Sequence, residues 1–236
     1  EHVRSFDLIV IGSGSGNSLV DERFADRDVA LIDDGPRFGG TCLNHGCIPT
    51  KMFVLPADHL RAPGAAAAIG VDAPQPTADW ATVRDRIFGR IDPISTGGEA
   101  WRAQASNVTL YRDTARFVAE RELEVAGERI TAPLIVIAAG SRCTSPASIE
   151  GLDEAWSSGR VHNSDTIMRI DDVPRRLAII GGGFIAAEFA HVFSAFGSQV
   201  TVVVRGDRML RHEDEEISRR YTEAAGRDVN LLLGHA

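Results

Sequence analysis

A chain of 236 residues with 44% apolar and 25% charged side chains can bury a sizeable core in one or two ordinary globular domains. Its formal net charge of −8 argues against attraction to nucleic acid or to an anionic membrane by the overall field. No apolar run reaches the roughly 18 to 20 residues needed to cross a bilayer, and the first residues lead into a strand-like Asp7–Ile11 with no signal-peptide layout, so a cytosolic protein is expected.

Asp7–Ile11 is followed at once by Gly12-Ser13-Gly14-Ser15-Gly16-Asn17 and by an amphipathic stretch, Ser18 to Ala25. Strand, glycine turn and helix form the context that a dinucleotide fingerprint requires. A second strand, Val29–Ile32, ends in Asp33, 21 positions after Gly12. An acid there can accept hydrogen bonds from ribose hydroxyls, while the glycines let backbone approach a pyrophosphate. Asn17 stands where the motif has its last glycine, and it packs a helix less closely on a strand than glycine does.

Next comes Gly39-Gly40-Thr41-Cys42-Leu43-Asn44-His45-Gly46-Cys47-Ile48-Pro49-Thr50-Lys51, with two of the three cysteines. Five positions apart in a regular helix, the two Cα atoms would lie about 8 to 9 Å apart, whereas a disulfide needs less than about 7 Å. If they pair, the residues between them must leave helical geometry, and Asn44 and Gly46 tolerate turns. Two buried apolar cysteines beside a turn are the alternative. Pro49 suits the first turn of a helix through Lys51, Met52, Phe53 and Leu55, which places Cys47 near that helix's N-terminus. In a reducing compartment a close pair is catalytic or metal-binding rather than structural. Seven scattered histidines and no second cysteine pair make metal the weaker option, and no metal ligand is assigned.

Arg61–Pro76 reads as a loop. Asp79 to about Ala105 has helical spacing, with interruptions expected at Pro93 and at Gly97-Gly98, and with Trp80 and Trp101 as core residues. Short strands are expected at Val108–Tyr111, Ala115–Ala119, Glu122–Ala126 and Arg129–Ala132, and a buried strand at Leu134–Ile137 that runs into Ala138-Ala139-Gly140. Cys143 has no near partner in sequence and reads as incidental. Ser145–Gly159 looks like a linker. A second strand, turn and helix then begins, with Leu177–Ile180, Gly181-Gly182-Gly183-Phe184-Ile185-Ala186 and a helix through Phe196. It is an internal echo of the first unit.

The strand Gln199–Val204 ends in Arg205, and Arg208, Arg211 and His212 follow. Arginines there can hold a ribose phosphate, where an acid would favour the hydroxyls of NADH, so NADPH is the expected donor. A solvated basic loop before the next helix, Glu213–Ala225, is the alternative. Glu188 sits among Phe184, Ala187, Phe189, Ala190 and Val192, where a carboxylate is costly if buried unpaired.

The cysteine block, set between two dinucleotide units, resembles the redox signature of the flavoprotein disulfide reductases, the family of glutathione reductase, trypanothione reductase and lipoamide dehydrogenase. GSGSGNSLVDERFA, GCIPTKMFV, FGRIDPI, SDTIMRI and GFIAAEFAHVFSAFG are most similar to its mycothione-reducing branch, which also carries the asparagine at position 17. The resemblance implies an α/β fold of two Rossmann-like dinucleotide-binding units, glutathione-reductase-like, with an NADPH domain inserted in an FAD domain. Residues 1–148 would be the first FAD segment and 149–236 the NADPH domain, with the C-terminal part and the dimerisation domain of a homodimer absent. FAD contacts are implied for Gly12, Ser13, Gly14, Gly16, Asn17, Asp33, Gly40, Thr41, Lys51, Ala115, Ala139 and Gly140. NADPH would meet Gly181, Gly183, Phe184, Ile185, Glu188, Arg205 and Arg211. The resemblance further implies a Cys42–Cys47 redox disulfide, with Cys47 next to the flavin and Cys42 attacking a small-molecule disulfide, a Lys51–Glu188 ion pair between the domains, and Phe184 as a gate.

The family's histidine–glutamate acid/base pair has no match here, so an N-terminal portion unable to turn over alone is expected. Nucleic acid and membrane are not expected partners. NAD-linked dithiol oxidation and a nucleotide-binding module without catalysis are the competing readings.

Overall fold

The structure, a computed structural model, describes residues 2–144 and 149–235; residues 145–148 of the expected linker, Pro146 among them, lie outside the described residues. In chain order the main elements are β1 (Val3–Ser5), β2 (Leu8–Ile11), β3 (Val29–Ile32), α1 (Gly40–Asn44), α2 (Cys47–Ala67), α3 (Trp80–Gln104), β4 (Val108–Tyr111), β5 (Arg116–Ala119), β6 (Glu122–Val125), β7 (Glu128–Thr131), β8 (Leu134–Ile137), α4 (Leu152–Trp156), β9 (Arg176–Ile180), α5 (Phe184–Ala195), β10 (Gln199–Val204), α6 (Glu215–Ala225) and β11 (Asn230–Leu233). Backbone contacts group them into two units, Glu1–Pro49 with Phe88–Asp165 and Thr50–Ile87 with Thr166–Ala236.

In the first unit a parallel sheet runs in the order β4-β3-β2-β8. Side chains alternate across it, as the two-residue period of a strand demands. Ile9, Ala30 and Ile32 face a cluster with Phe6, Tyr111, Leu123, Val125 and Ile130. Leu8, Val10, Val29 and Leu31 face one with Val20, Phe38 and Val108. Burial on both faces is the habit of parallel sheets, and each fully buried aliphatic side chain contributes about 1.5 to 3 kcal/mol. A second sheet, β1-β7-β6-β5, supplies the outer wall of the first cluster. β2 lies between β3, which follows it in the chain, and β8, which comes back to its other side, so its carboxyl end lies at a topological switch point of the kind where open α/β sheets bind ligands.

The second unit holds the parallel sheet β11-β10-β9 with α5 against it. Trp80 is core there, as expected: its ring stacks on Phe53 at 4.7 Å and meets Phe196 edge-on at 5.2 Å. Its indole N–H reaches Ile170 O at 2.9 Å.

Several expectations are corrected. The amphipathic stretch after the first glycine turn is not an α-helix; it folds as two 3-10 segments, Ser15–Leu19 and Glu22–Phe24. Arg102 explains the break, because its guanidinium binds the carbonyls of Asn17 at 2.8 Å and Val20 at 2.7 Å, and Asp21 caps a new start by accepting from the Arg23 N–H. The loop expected from Arg61 begins only after Ala67, since α2 runs on through an alanine-rich stretch that favours helix. α3 is not interrupted at Pro93 or Gly97-Gly98. It is held there by Ser95, whose hydroxyl donates to Phe38 O at 2.6 Å. Trp101 is 61% exposed, stacked on the guanidinium of Arg102 at 4.2 Å instead of entering the core. β8 is half-open, with Leu134 52% and Ile137 69% exposed, because it is the edge strand of its sheet. No helix among the described residues is long and apolar enough to cross a membrane.

Candidate functional site

The first glycine turn is made of close approaches. Gly12 has φ +112°, and a Cβ there would lie 2.1 Å from Ala138 O. Gly40, with φ +72°, would place a Cβ 2.5 Å from Gly14 Cα, so the turn and the start of α1 meet backbone to backbone. Ser13 ties the two loops: its N–H donates to Asp33 Oδ2 and its hydroxyl accepts from the Gly39 N–H, both at 2.8 Å. The packing that the motif normally gives to its last glycine falls to Gly16, where a Cβ would come 2.5 Å from Ala138 Cβ. Asn17 turns its side-chain oxygen to Arg102 Nε at 2.6 Å. The Ala138 N–H donates to Ile11 O at 2.8 Å, which brings Ala139 and Gly140 beside the turn. Ala115 packs on the core under β5.

A turn bare of Cβ atoms at Gly12, Gly14 and Gly40, with an acid at the end of the next strand, fits a dinucleotide. Asp33 does not stand open, however. Its carboxylate also accepts from the Gly35 N–H at 3.0 Å and from Arg112 Nη1 at 2.6 Å, so a ribose hydroxyl would share it with Arg112.

Directly after this turn α1 ends at His45, whose φ of −155° leaves helical geometry, and α2 starts at Cys47. That interruption is the one the spacing demanded, and it brings the Cys47 thiol close enough to influence the titration of Cys42. Both are exposed free thiols, the reduced form of the redox pair that the resemblance implied. The nearby Cys47 thiol, and after it desolvation, pushes the Cys42 thiol above its ordinary value. Buried Asn44 fixes the loop from below, donating to Phe38 O at 2.9 Å and Gly40 O at 3.0 Å. His45 Nε2 lies 3.4 Å from Asp165 Oδ1. Cys143 has a neighbour after all, Ser164 Oγ at 3.4 Å from its sulfur.

In the second unit, Gly181, Gly182, Gly183 and Phe184 line a cavity of about 250 Å³ together with Val204, Arg205, Arg208, Arg211 and His212. The loop after β10 is pinned from α6: Ser218 Oγ donates to Met209 O at 2.6 Å, and the Met209 N–H donates to Thr222 Oγ1 at 3.0 Å. Leu210, at φ +54°, closes it onto the glycine turn through its N–H to Gly182 O at 2.6 Å. Arg208 Nε is buried there without a hydrogen-bond partner among the described residues, while its Nη1 lies 3.6 Å from Glu215 Oε1. Arg211 Nε meets the His212 imidazole at 3.3 Å. An orphaned guanidinium N–H and further arginines around one cavity fit the phosphate of a nucleotide. On α5, Glu188 forms its ion pair with Lys51; the two side chains are 29% and 64% exposed, so Glu188 is neither buried nor alone. Both residues belong to the second unit.

The family pattern described as pyridine nucleotide-disulphide oxidoreductase matches residues 6–236. The chain belongs to this family. It is 47% identical to mycothione reductase of Mycobacterium tuberculosis over 94% of its own length and 49% of that protein. It is 32% identical to dihydrolipoyl dehydrogenase of Acholeplasma laidlawii over 99% of its length and 69% of that protein. Among solved structures, the Cu(II) complex of the HOCl-induced flavoprotein disulfide reductase RclA from Escherichia coli matches with a TM-score of 0.80 at 27% identity, covering 97% of this chain and 49% of that one. The chain thus spans about half the length of the mycothione reductase it matches. Family membership carries FAD and a nicotinamide nucleotide as cofactors, and the α/β architecture of parallel sheets agrees with the expected fold.

Within this oxidoreductase frame, the residues that the sequence singles out gather at three places: the first glycine turn with the thiols after it, the Lys51–Glu188 pair, and the arginine cavity. Residues that the sequence reading did not single out support them: Arg102 and Arg112 at the first turn, Asp165 beside His45, and Ser218 and Thr222 behind the arginines. None carries a local signal, since each acts across a long sequence separation or from the buried face of an unremarkable helix.

Proposed function

We propose that this chain is the FAD- and NADPH-binding part of a cytoplasmic reductase of small disulfides, with mycothione as substrate and a homodimer as the full-length form. The observation that carries the reading is the exposed Cys42 and Cys47 pair, set at the break between α1 and α2, where Gly40 at the start of α1 packs on Gly14 of the glycine turn. Residues 1–148 serve the flavin and 149–236 the nicotinamide nucleotide. A flavin bound at the first turn supplies a two-electron relay from NADPH to the sulfur pair.

The chain's own residues do the rest. Gly12, Ser13, Gly14, Gly16, Gly40, Thr41, Ala139 and Gly140 present backbone, and Asp33 accepts from the ribose. Asn17 and Ala115 back these contacts. Arg205 and Arg211 hold the ribose phosphate, while Gly181, Gly183 and Ile185 shape the turn beneath it. Phe184, two-thirds exposed at the start of α5, covers or admits the nicotinamide. Lys51 and Glu188, joined in an ion pair, are the residues that the family resemblance adds to the redox machinery.

Starting from the dithiol, Cys42 gives up its proton and its sulfur attacks one sulfur of the substrate disulfide. That S–S bond breaks, and the first product thiol leaves with a proton. Cys47 then attacks Cys42 in the mixed disulfide, releasing the second thiol and closing the Cys42–Cys47 bond.

The arginine cavity favours this reading over NAD-linked dithiol oxidation, the activity named for the dihydrolipoyl dehydrogenases. The test is spectroscopic. The purified chain should hold a yellow flavin and develop a long-wavelength absorbance band on two-electron reduction, and Cys47→Ser should abolish the band. A bound flavin whose spectrum is indifferent to Cys47→Ser would leave only a nucleotide-binding module.

A further inference from the structure

Among the described residues, Arg102 is a buried cation with no carboxylate in ion-pair contact. Its side chain is 5% exposed, and its hydrogen bonds go to three neutral oxygens, Asn17 Oδ1, Asn17 O and Val20 O, at 2.6, 2.8 and 2.7 Å. One turn back on α3, Glu99 is engaged with Arg112. The Trp101 ring covers the guanidinium face. Burial pushes its titration below the ordinary value of an arginine. A charge withdrawn from water onto neutral acceptors is expensive unless something compensates it.

The acceptors belong to the segment that follows the first glycine turn. Dinucleotide turns ordinarily lead into a long helix whose aligned peptides offer partial positive charge to the pyrophosphate. α5 plays that part in the second unit, with 12 residues beginning directly after Gly183. The first turn has only a five-residue 3-10 segment, too short for such a field. A full positive charge sits behind it instead.

We propose that Arg102 is a positioning residue that replaces the missing helix field: through the carbonyls of Asn17 and Val20 it lends its charge to the first glycine turn, and the pyrophosphate of the bound dinucleotide is the counter-ion it lacks. Asn17, in the place of the motif's last glycine, is the side chain that receives it. This rests on the assignment of FAD to the first turn.

The test is FAD binding to the 236-residue chain, followed by flavin fluorescence, with ADP and adenosine as competitors. Asn17→Asp keeps the shape and the hydrogen bond to Arg102 but neutralises its charge in place. It should melt no lower than the parent and weaken FAD and ADP by about tenfold or more, the scale of a unit charge acting over several ångströms at a protein's effective dielectric, while adenosine binding is unchanged. Arg102→Lys should stay within about threefold of the parent, whereas Arg102→Gln should lose as much as Asn17→Asp. Undiminished FAD affinity in Asn17→Asp, or equal losses for phosphorylated and unphosphorylated ligands, would overturn the proposal. Failure of the parent chain itself to bind FAD would overturn the assignment beneath it.

Discussion

Replacing Arg205 and Arg211 by alanine, singly and together, tests the nucleotide preference. Both side chains are exposed at the mouth of a cavity that also holds Arg208 and His212, so neither change removes core packing and the melting temperature should barely move. A hydrogen bond to a charged group contributes about 1.5 to 3 kcal/mol net. At about 1.4 kcal/mol per factor of ten, each arginine on a ribose phosphate should cost about 10- to 100-fold in affinity. The double variant should lose less than the product of the singles, since both act on one phosphate and Arg208 remains beside it. Titration calorimetry with 2′,5′-ADP and with 5′-AMP reads this directly. The expected result is a large loss for the phosphorylated ligand and a change of less than about threefold for 5′-AMP, diminishing as salt screens the exposed charges. Equal losses for the two ligands, or no loss at all, would refute the reasoning and leave the arginines as a solvated surface loop.

Other consequences follow from the same geometry. Cys47→Ala removes the largest influence that lifts the Cys42 thiol, so alkylation of Cys42 by iodoacetamide should shift to lower pH, and an unmoved or higher midpoint would show that the two sulfurs do not communicate. Gly40→Ala places a methyl 2.5 Å from Gly14 Cα at a φ of +72°; we expect a loss of at least about 2 kcal/mol and a fall of about 4 °C or more in Tm, together with loss of flavin, and a variant with unchanged Tm would contradict the backbone contact. The Lys51–Glu188 pair is exposed enough that Glu188→Ala should cost no more than about 1 kcal/mol in denaturant unfolding. Its effect belongs instead to the absorbance band of the reduced flavin, and a variant that changes stability but not the band would make the pair structural.

Where local chemistry decides the structure, the sequence was readable. The strands around Gly12 and Gly181, the acid ending β3 and the arginine ending β10 follow from spacing and residue type, because the backbone at a glycine turn has few alternatives. The break between Cys42 and Cys47 follows from helix geometry. What could not be read depends on partners far away in the chain. The missing helix after Gly16 is due to Arg102, more than 80 positions on, which takes carbonyls that a helix would have used. Trp101, hydrophobic by type, lies outside because the adjacent guanidinium offers it a stacking partner. Pro93 and Gly97-Gly98 read as breaks, yet α3 continues through them, anchored by Ser95 to Phe38. Asp33 was legible as an acid at a strand end, but its capture by Arg112 was not.

The most direct test of the central claim is a thiol count after anaerobic reduction. With FAD bound and the sulfur pair oxidised, one equivalent of NADPH should release two new titratable thiols per chain, mapped by alkylation and mass spectrometry to Cys42 and Cys47, and NADH should do so far less well. NADPH consumption that leaves both cysteines disulfide-bonded, or thiols that appear without flavin, would contradict the account.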